Sequence, residues 1–409
     1  MLYSVDMKPT LPTEMQNLWD SLNLIEHSIP YTTRANIAKS LDVSRTTASN
    51  LVSQLISLDL VAELDSTING RGRPAIPLTL STTTWNALGA SFHGNQWHFL
   101  LIDLLGHGVL EHIEYVEEVS VEQFLEKLFL GLDFMIASAP GKLLPLIGIG
   151  TPGLVDTNTG IITRADDLGW KEVNIGQKIK LHTGFDCYAI NRHRAAGLAE
   201  ARFGSGRAIK NLIYIGIGTG ISAAFINDGV LLEGANYSAG EIGHMLIDPD
   251  GPLCGCGRYG CLQAFSSSQA LVRLMQEKYR SLIALGETVE QNVLWEAIET
   301  KELTGDMIAE EANKGNLIAV ECMQKIAIQL GIAVSNLINM INPQKIIIGG
   351  ALGNSGPLLA DLIRKEAALR AMASPFSTVQ IEMSNLGNRA SALGSASIPL
   401  SYKLELVAQ

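Results

Sequence analysis

Cys254-Gly-Cys-Gly-Arg-Tyr-Gly-Cys261, preceded by Gly240-Glu-Ile-Gly-His244, decides how this chain is read. Three thiols and one imidazole within eighteen residues form the closed Cys₃His set that tetrahedral Zn²⁺ takes in structural sites, so His244, Cys254, Cys256 and Cys261 are the expected ligands. Gly255, Gly257 and Gly260 suit a chain that must wrap its own sulfurs around one ion, because glycine turns tightly and tolerates positive φ. The rival reading is three buried free cysteines, which leaves their spacing and the nearby histidine unexplained. With four protein ligands no position remains for an activated water. The ion is therefore expected to be structural.

Outward from this stretch, 409 residues exceed what one core serves and point to two or three domains. Hydrophobic content of 47% and charged content of 17% describe an ordinary soluble globular protein. A net charge of -11 excludes nucleic-acid binding through bulk charge and demands a local patch. Of five cysteines, Cys187 and Cys322 stand outside the motif, a pattern suited to a reducing cytosol. Residues 1–12 hold Asp6, Lys8 and two prolines and do not read as an export leader. Ile326 to Ile341 is uncharged but contains Gln329, Ser335, Asn336 and Asn339. It reads as a buried helix, with no membrane insertion expected.

The first eighty residues carry a helix-turn-helix pattern. Thr33 caps a helix through Leu41; Ser44 caps a second, Arg45 to Ser57, with Ala48, Leu51, Val52, Leu55 and Ile56 inward. Arg45, Thr46, Thr47, Ser49, Asn50 and Gln54 face outward, a short hydrogen-bonding face of the kind a major groove admits. Leu60 to Leu64 and Ile76 to Leu80 read as two strands of a wing, whose tip holds Arg71 and Arg73 for phosphates or a narrow minor groove. Residues 30–80 contain five basic and four acidic side chains, so the pattern and not the charge carries the DNA reading. A small protein-interaction module is the alternative.

Beyond the head, Ala87 to Phe92, Trp97 to Asp103 and Val109 to Ile113 alternate as strands, followed by a helix over Val121 to Ala137 and a buried strand at Leu146 to Gly150. Strands at 212–216, 222–227, 230–233 and 345–350 repeat this plan. Two α/β lobes with a cleft between them are expected, the actin and hexokinase architecture. The domains so read are 1–81, a winged helix-turn-helix; 82–190, the first lobe, rejoined by 380–409; and 191–379, the second lobe, holding the zinc motif and dimerisation helices.

Thr151-Pro-Gly153, Gly216-Ile-Gly-Thr-Gly220, Glu241-Ile-Gly-His244, the cysteine motif through Leu262, Asn342-Pro343 with Gly349-Gly350, and Ala392-Leu-Gly394 together resemble the ROK family of repressors, open reading frames and sugar kinases. Gly72-Arg73-Pro74 matches the wing of its sugar-responsive repressors, among them those answering to xylose, N-acetylglucosamine and glucose. The resemblance implies a carbohydrate effector bound by Asp167, Asn191, Arg192, Glu241, His244 and Gln263. It also implies an operator duplex as partner and a cytoplasmic homodimer or dimer of dimers.

Three of these positions depart from the family pattern: Asp167, Arg192 and Gln263 stand where asparagine, aspartate and glutamate are usual. Ser91-Phe-His-Gly-Asn95 replaces the kinases' Asp-x-Gly-Gly-Thr hairpin, and Ser222, Ala223 and Ala224 occupy a stretch that is glycine-rich in kinases. A guanidinium at 192 cannot act as general base, so no enzyme activity is expected. The alternative is a ROK sugar kinase with an accessory head; a corepressor that binds only proteins is a third possibility. Arg192 itself has two explanations, an anionic effector gripped together with Arg194, or a buried charge exchange with Asp167. The paired departures favour the second.

Overall fold

The computed structural model describes residues 15–28, 30–65, 76–286, 291–354 and 356–408. The head opens with α1 (Gln16–His27), then α2 (Arg34–Ser40) and α3 (Arg45–Ser57), and closes with β1 (Val61–Glu63) and β2 (Leu78–Leu80), paired antiparallel with Val61 opposite Leu80. Local chemistry sets the helix starts. Thr33 Oγ1 accepts from Asn36 N, and Ser44 Oγ accepts from Thr47 N at 3.0 Å. α1 carries no local start signal in the sequence and was not expected: its N-cap is Met15 with no side-chain hydrogen bond, and its first turn has no acid.

The first lobe is built on β3 (Trp85–His93), β4 (Gln96–Asp103), β5 (Gly108–Tyr115), α4 (Val121–Ala137) and β6 (Lys142–Thr151). A small antiparallel sheet follows, β7 (Leu154–Asp156), β8 (Ile161–Ala165) and β9 (Trp170–Asn174), and then α5 (Ile175–Thr183) and β10 (Asp186–Asn191). Next comes α6 (Arg192–Arg202), leading into β11 (Leu212–Ile217), β12 (Ile221–Asn227) and β13 (Val230–Leu231).

The remaining helices are α7 (Leu262–Ser266), α8 (Ser268–Ala284), α9 (Val293–Glu299), α10 (Gly305–Asn313) and α11 (Leu317–Ile341). After them come β14 (Lys345–Gly349), α12 (Leu358–Ala368), α13 (Ala373–Thr378), β15 (Gln380–Met383), α14 (Ala390–Ser401) and α15 (Lys403–Ala408). The two five-stranded sheets run β10-β6-β3-β4-β5 and β13-β12-β11-β14-β15. Each is an antiparallel three-strand meander extended by two parallel strands on the side of its first strand. The repeat expected from the sequence is therefore a repeat of sheet order. Among the described residues only α11 is long and apolar enough to cross a membrane; half of its most apolar window is buried inside the protein, as the core helix of the second lobe.

α14 is the central packing element. It lies against β3, β6 and α6, and three glycines admit it: a Cβ on Gly89 would stand 2.0 Å from Ala396 N, one on Gly148 1.9 Å from Ser395 O, and one on Gly394 1.7 Å from Ala195 O. Its Ala392, Ala396 and Leu400, with Leu404 of α15, join a single cluster with head residues Leu18, Leu22, Ile25, Val52, Leu55 and Leu80. Head and body thus share a core. Trp85 Nε1 adds a hydrogen bond to Leu58 O at 2.9 Å. Since backbone atoms cannot yield as a side chain does, Gly148→Ala should destabilise the protein by roughly 1–3 kcal/mol, read as a lower urea midpoint by circular dichroism.

Candidate effector cleft, metal site and nucleic-acid face

The cleft lies between the ends of the two sheets. It opens to solvent, with ≈ 580 Å³ of space including its open mouth, and is lined by Gly153, Arg164, Asp166, Asn191, Arg192, His193, Ser222, Glu241, His244 and Gln263, among others. Five of the six expected ligand residues therefore meet in one place; the side chain of the sixth, Asp167, lies outside the described residues. Arg164 and Asp166, an ion pair on β8 and the turn after it, were missed, as were His193 and Ser222. The signal for the first two was the run Arg164-Ala-Asp-Asp167 between two weak strand patterns, and for Ser222 its place in a stretch that is glycine-rich in kinases.

Asn191 ends β10 and caps α6. Its Oδ1 accepts from His193 N at 2.9 Å, Arg194 N at 3.3 Å and Ser222 Oγ at 3.3 Å, while Nδ2 donates to Gly153 O at 3.0 Å. The side chain is thereby engaged as a strut that ties both sheets to the helix start. Gly153 takes φ +78° with no room for a Cβ, which would fall 2.2 Å from Arg164 O.

Arg192 is 6% exposed. Its Nη1 donates to Phe92 O at 3.4 Å, at the end of β3, and its Nη2 to Thr219 Oγ1 at 3.2 Å, in the turn between β11 and β12. One guanidinium thus touches both lobes. Arg194 is 2% exposed and donates through Nη1 to Tyr237 O at 2.6 Å. It is not among the residues that line the cavity. Burial lowers its pKa, against the opposing fields of Glu233, Tyr188 and Glu241.

Glu241 follows Gly240, whose φ is +98° and whose Cβ would stand 1.9 Å from Ala223 O. That contact presses the loop onto β12 and sets where Glu241 enters the cleft. Three residues on, His244 Nδ1 lies 3.8 Å from Cys254 Sγ, and Cys256 Sγ lies 3.8 Å from Cys261 Sγ. All four ligand atoms fall within 4.8 Å of one another. A tetrahedron with metal–sulfur bonds of about 2.3 Å has edges of about 3.8 Å, so the donor set and its spacing fit Zn²⁺. Gly257 and Gly260 have the positive φ that the sequence suggested, whereas Gly255 does not.

On the head, Arg45, Thr46, Thr47 and Asn50 of α3 are exposed and Ser49 is half-buried. Thr47 also shares its hydroxyl with the cap, Ser44 Oγ lying 2.8 Å from Thr47 Oγ1. Arg34 pairs with Glu63 and fastens α2 to β1. Arg71 and Arg73 lie outside the described residues.

Next to Arg192 stand His93 and His193. Burial first and Arg192 second hold His93 down from 6.5 to about 4, and the same two causes, with His93 as a third, put His193 well below 6.5. Both imidazoles are therefore neutral at physiological pH. Between about pH 6.5 and 4 the unfolded chain binds protons that the folded chain refuses, so stability is whole above 6.5 and falls as pH drops through that window. Replacing His93 by Gln should make the decline shallower, measured as urea midpoints at several pH values across the window.

The ROK family model matches residues 98–401. A putative xylose repressor of Caldicellulosiruptor sp. (strain Rt8B.4) is 30% identical over 374 residues, covering 91% of this chain and 92% of its own. The DNA-binding transcriptional repressor Mlc of Escherichia coli (strain K12) is 29% identical over 369 residues, 88% of this chain and 87% of its own. A glucokinase of Halalkalibacterium halodurans is 30% identical over 249 residues, but these are 61% of this chain. Among solved structures, a ROK family transcriptional regulator described as a homologue of the E. coli Mlc protein superposes with a TM-score of 0.80 at 26% identity, over 96% of this chain and 98% of that one. By the family match and by the relatives that span its length, the chain belongs to the ROK family.

Proposed function

We propose that this protein is a carbohydrate-responsive, sequence-specific transcriptional repressor whose kinase-like body binds an effector and does not phosphorylate it. The observation that carries the reading is Arg192. It occupies the position where the family's kinases hold their proton-accepting aspartate, and it is committed to Phe92 O and Thr219 Oγ1. A guanidinium keeps its charge and has no lone pair to offer, so it cannot deprotonate a sugar hydroxyl. Relatives matched over about nine-tenths of this chain are named repressors or, in the case of NagC of Escherichia coli, a DNA-binding dual regulator, which supports the same reading.

In this reading residues 1–81 bind DNA through Arg45, Thr46, Thr47, Ser49, Asn50, Arg71 and Arg73. The lobes 82–190 with 380–409, and 191–379, enclose a sugar or sugar derivative gripped by Asp167, Asn191, Arg192, Glu241, His244 and Gln263. Glu241 accepts hydrogen bonds from vicinal hydroxyls, and Zn²⁺ on His244, Cys254, Cys256 and Cys261 holds the loop that carries it. The protein works in the cytoplasm as a homodimer, because one short recognition helix reads too few bases for a specific site.

Screening the protein against a carbohydrate panel by thermal shift, with release from a selected duplex as second readout, tests the assignment. A ligand that raises the melting temperature and changes DNA affinity is expected, and ATP-dependent phosphorylation of that sugar would overturn it. The metal is tested separately: Cys256→Ser or chelation should abolish the thermal response to ligand while α1 to α3 stay folded, with stoichiometric zinc measured by elemental assay. On DNA, Arg45→Ala should relax base preference at one position of each half-site, costing about 1–3 kcal/mol on the preferred duplex by fluorescence anisotropy.

A further inference from the structure

α6 is fastened to α14 at both ends. Beside the cleft, Ser391 Oγ donates to Arg192 O at 2.8 Å; at the other end of the helix Arg202 donates to Ser397 O and to Ser401 Oγ. Between these staples Gly394 meets Ala195 O with no space for a Cβ. Neither helix slides or turns against the other without driving backbone into backbone, so the two move as one body.

The near end of that body is in the cleft, where the Arg192 guanidinium touches both lobes. Its far end runs into α15, where Lys403, 6% exposed at its side chain, donates through Nζ to Glu26 Oε2 of α1 at 2.6 Å and to Leu400 O at 3.0 Å. Burial alone would raise the Glu26 pKa, but Lys403, His27 and Arg202 outweigh it and keep the carboxylate charged. Among the described residues Trp85 Nε1 on Leu58 O is a second polar tie between head and body, and the apolar cluster they share has no directional preference. A buried ion pair is directional and costly to break on one side only.

We propose that α6 and α14 form a lever carrying the state of the cleft to the winged head, with the Lys403–Glu26 pair as its joint. A ligand that displaces Arg192 or the start of α6 displaces α14 with it, and the joint turns that displacement into a new setting of α1 and the recognition helix packed on it. The lever rests on the regulatory reading only for what the head then does on DNA; the mechanical coupling stands by itself.

The test is a double-mutant cycle in the full-length protein, read by hydrogen exchange of residues 16–27. Ser391→Ala frees the cleft end. In the otherwise unchanged protein it should speed exchange in that segment about fivefold, and in a Lys403→Met background less than about twofold. Exchange in α1 that ignores Ser391→Ala, or effects that simply multiply, would overturn the lever. Should Lys403→Met melt the head, Glu26→Gln takes its place in the cycle, since it removes the charge and keeps an acceptor. A second arm measures affinity for a duplex selected from a random pool. Non-additive exchange without binding of any duplex leaves the lever standing and ends the repressor reading; additive exchange with tight specific DNA binding does the reverse.

Discussion

The close approach of α14 to two sheet strands and a helix is the constraint on which the rest depends. Gly89, Gly148 and Gly394 each forgo a side chain, and each costs up to about 1 kcal/mol of backbone freedom. What they admit is a helix whose buried Ala392, Ala396, Ile398 and Leu400 serve two clusters at once, one under the head and one under the second lobe. Burying a leucine or isoleucine contributes on the order of 1.5–3 kcal/mol, so the exchange favours contact. Without it the first-lobe sheet would have no cover on that face, and the head would have no floor.

Desolvation governs the cleft. Arg192 keeps its charge in a buried position, and its field adds to burial in holding His93 and His193 neutral. The result is a wall with a buried fixed cation beside two neutral imidazoles. A proton-transfer site needs a group poised near physiological pH. On the facing loop, the His244, Cys254, Cys256 and Cys261 cluster and the Gly240 contact fix the one short segment that carries Glu241 and His244, so that the geometry of the cluster and the shape of the cleft are set together.

Much of this was legible in the sequence because the signals were local. α2, α3 and α4 each begin at a Ser or Thr whose hydroxyl accepts from the backbone three residues on, and all three were read to within a residue or so at either end. The metal set declared itself through residue type and spacing. α1 escaped because nothing caps it; its place is decided by Leu18, Leu22 and Ile25 packing on residues far away in the chain. The β7–β9 sheet escaped because its strands are short and their apolar alternation weak. Asn191 was read as a ligand contact and does line the cavity; its further part as cap and strut depends on Gly153, in the turn after β6, and Ser222 of β12, which its sequence neighbours do not reveal. Least legible were the staples from Ser391 and Arg202, since a serine or arginine on a helix says nothing about which backbone it will meet.

The position of α14 and α15 along the chain has a consequence for biosynthesis. Ribosomes deliver the head first and residues 390–408 after both sheets have emerged. The head's own residues form only part of their cluster; Leu400, Leu404 and the Lys403 ammonium come from the late segment. Until that segment emerges the Glu26 carboxylate lacks its Lys403 partner, and the sheet face that Gly89 and Gly148 keep bare is open to water. The head's seat on the body is therefore complete only when residues 390–408 close over it, late in synthesis.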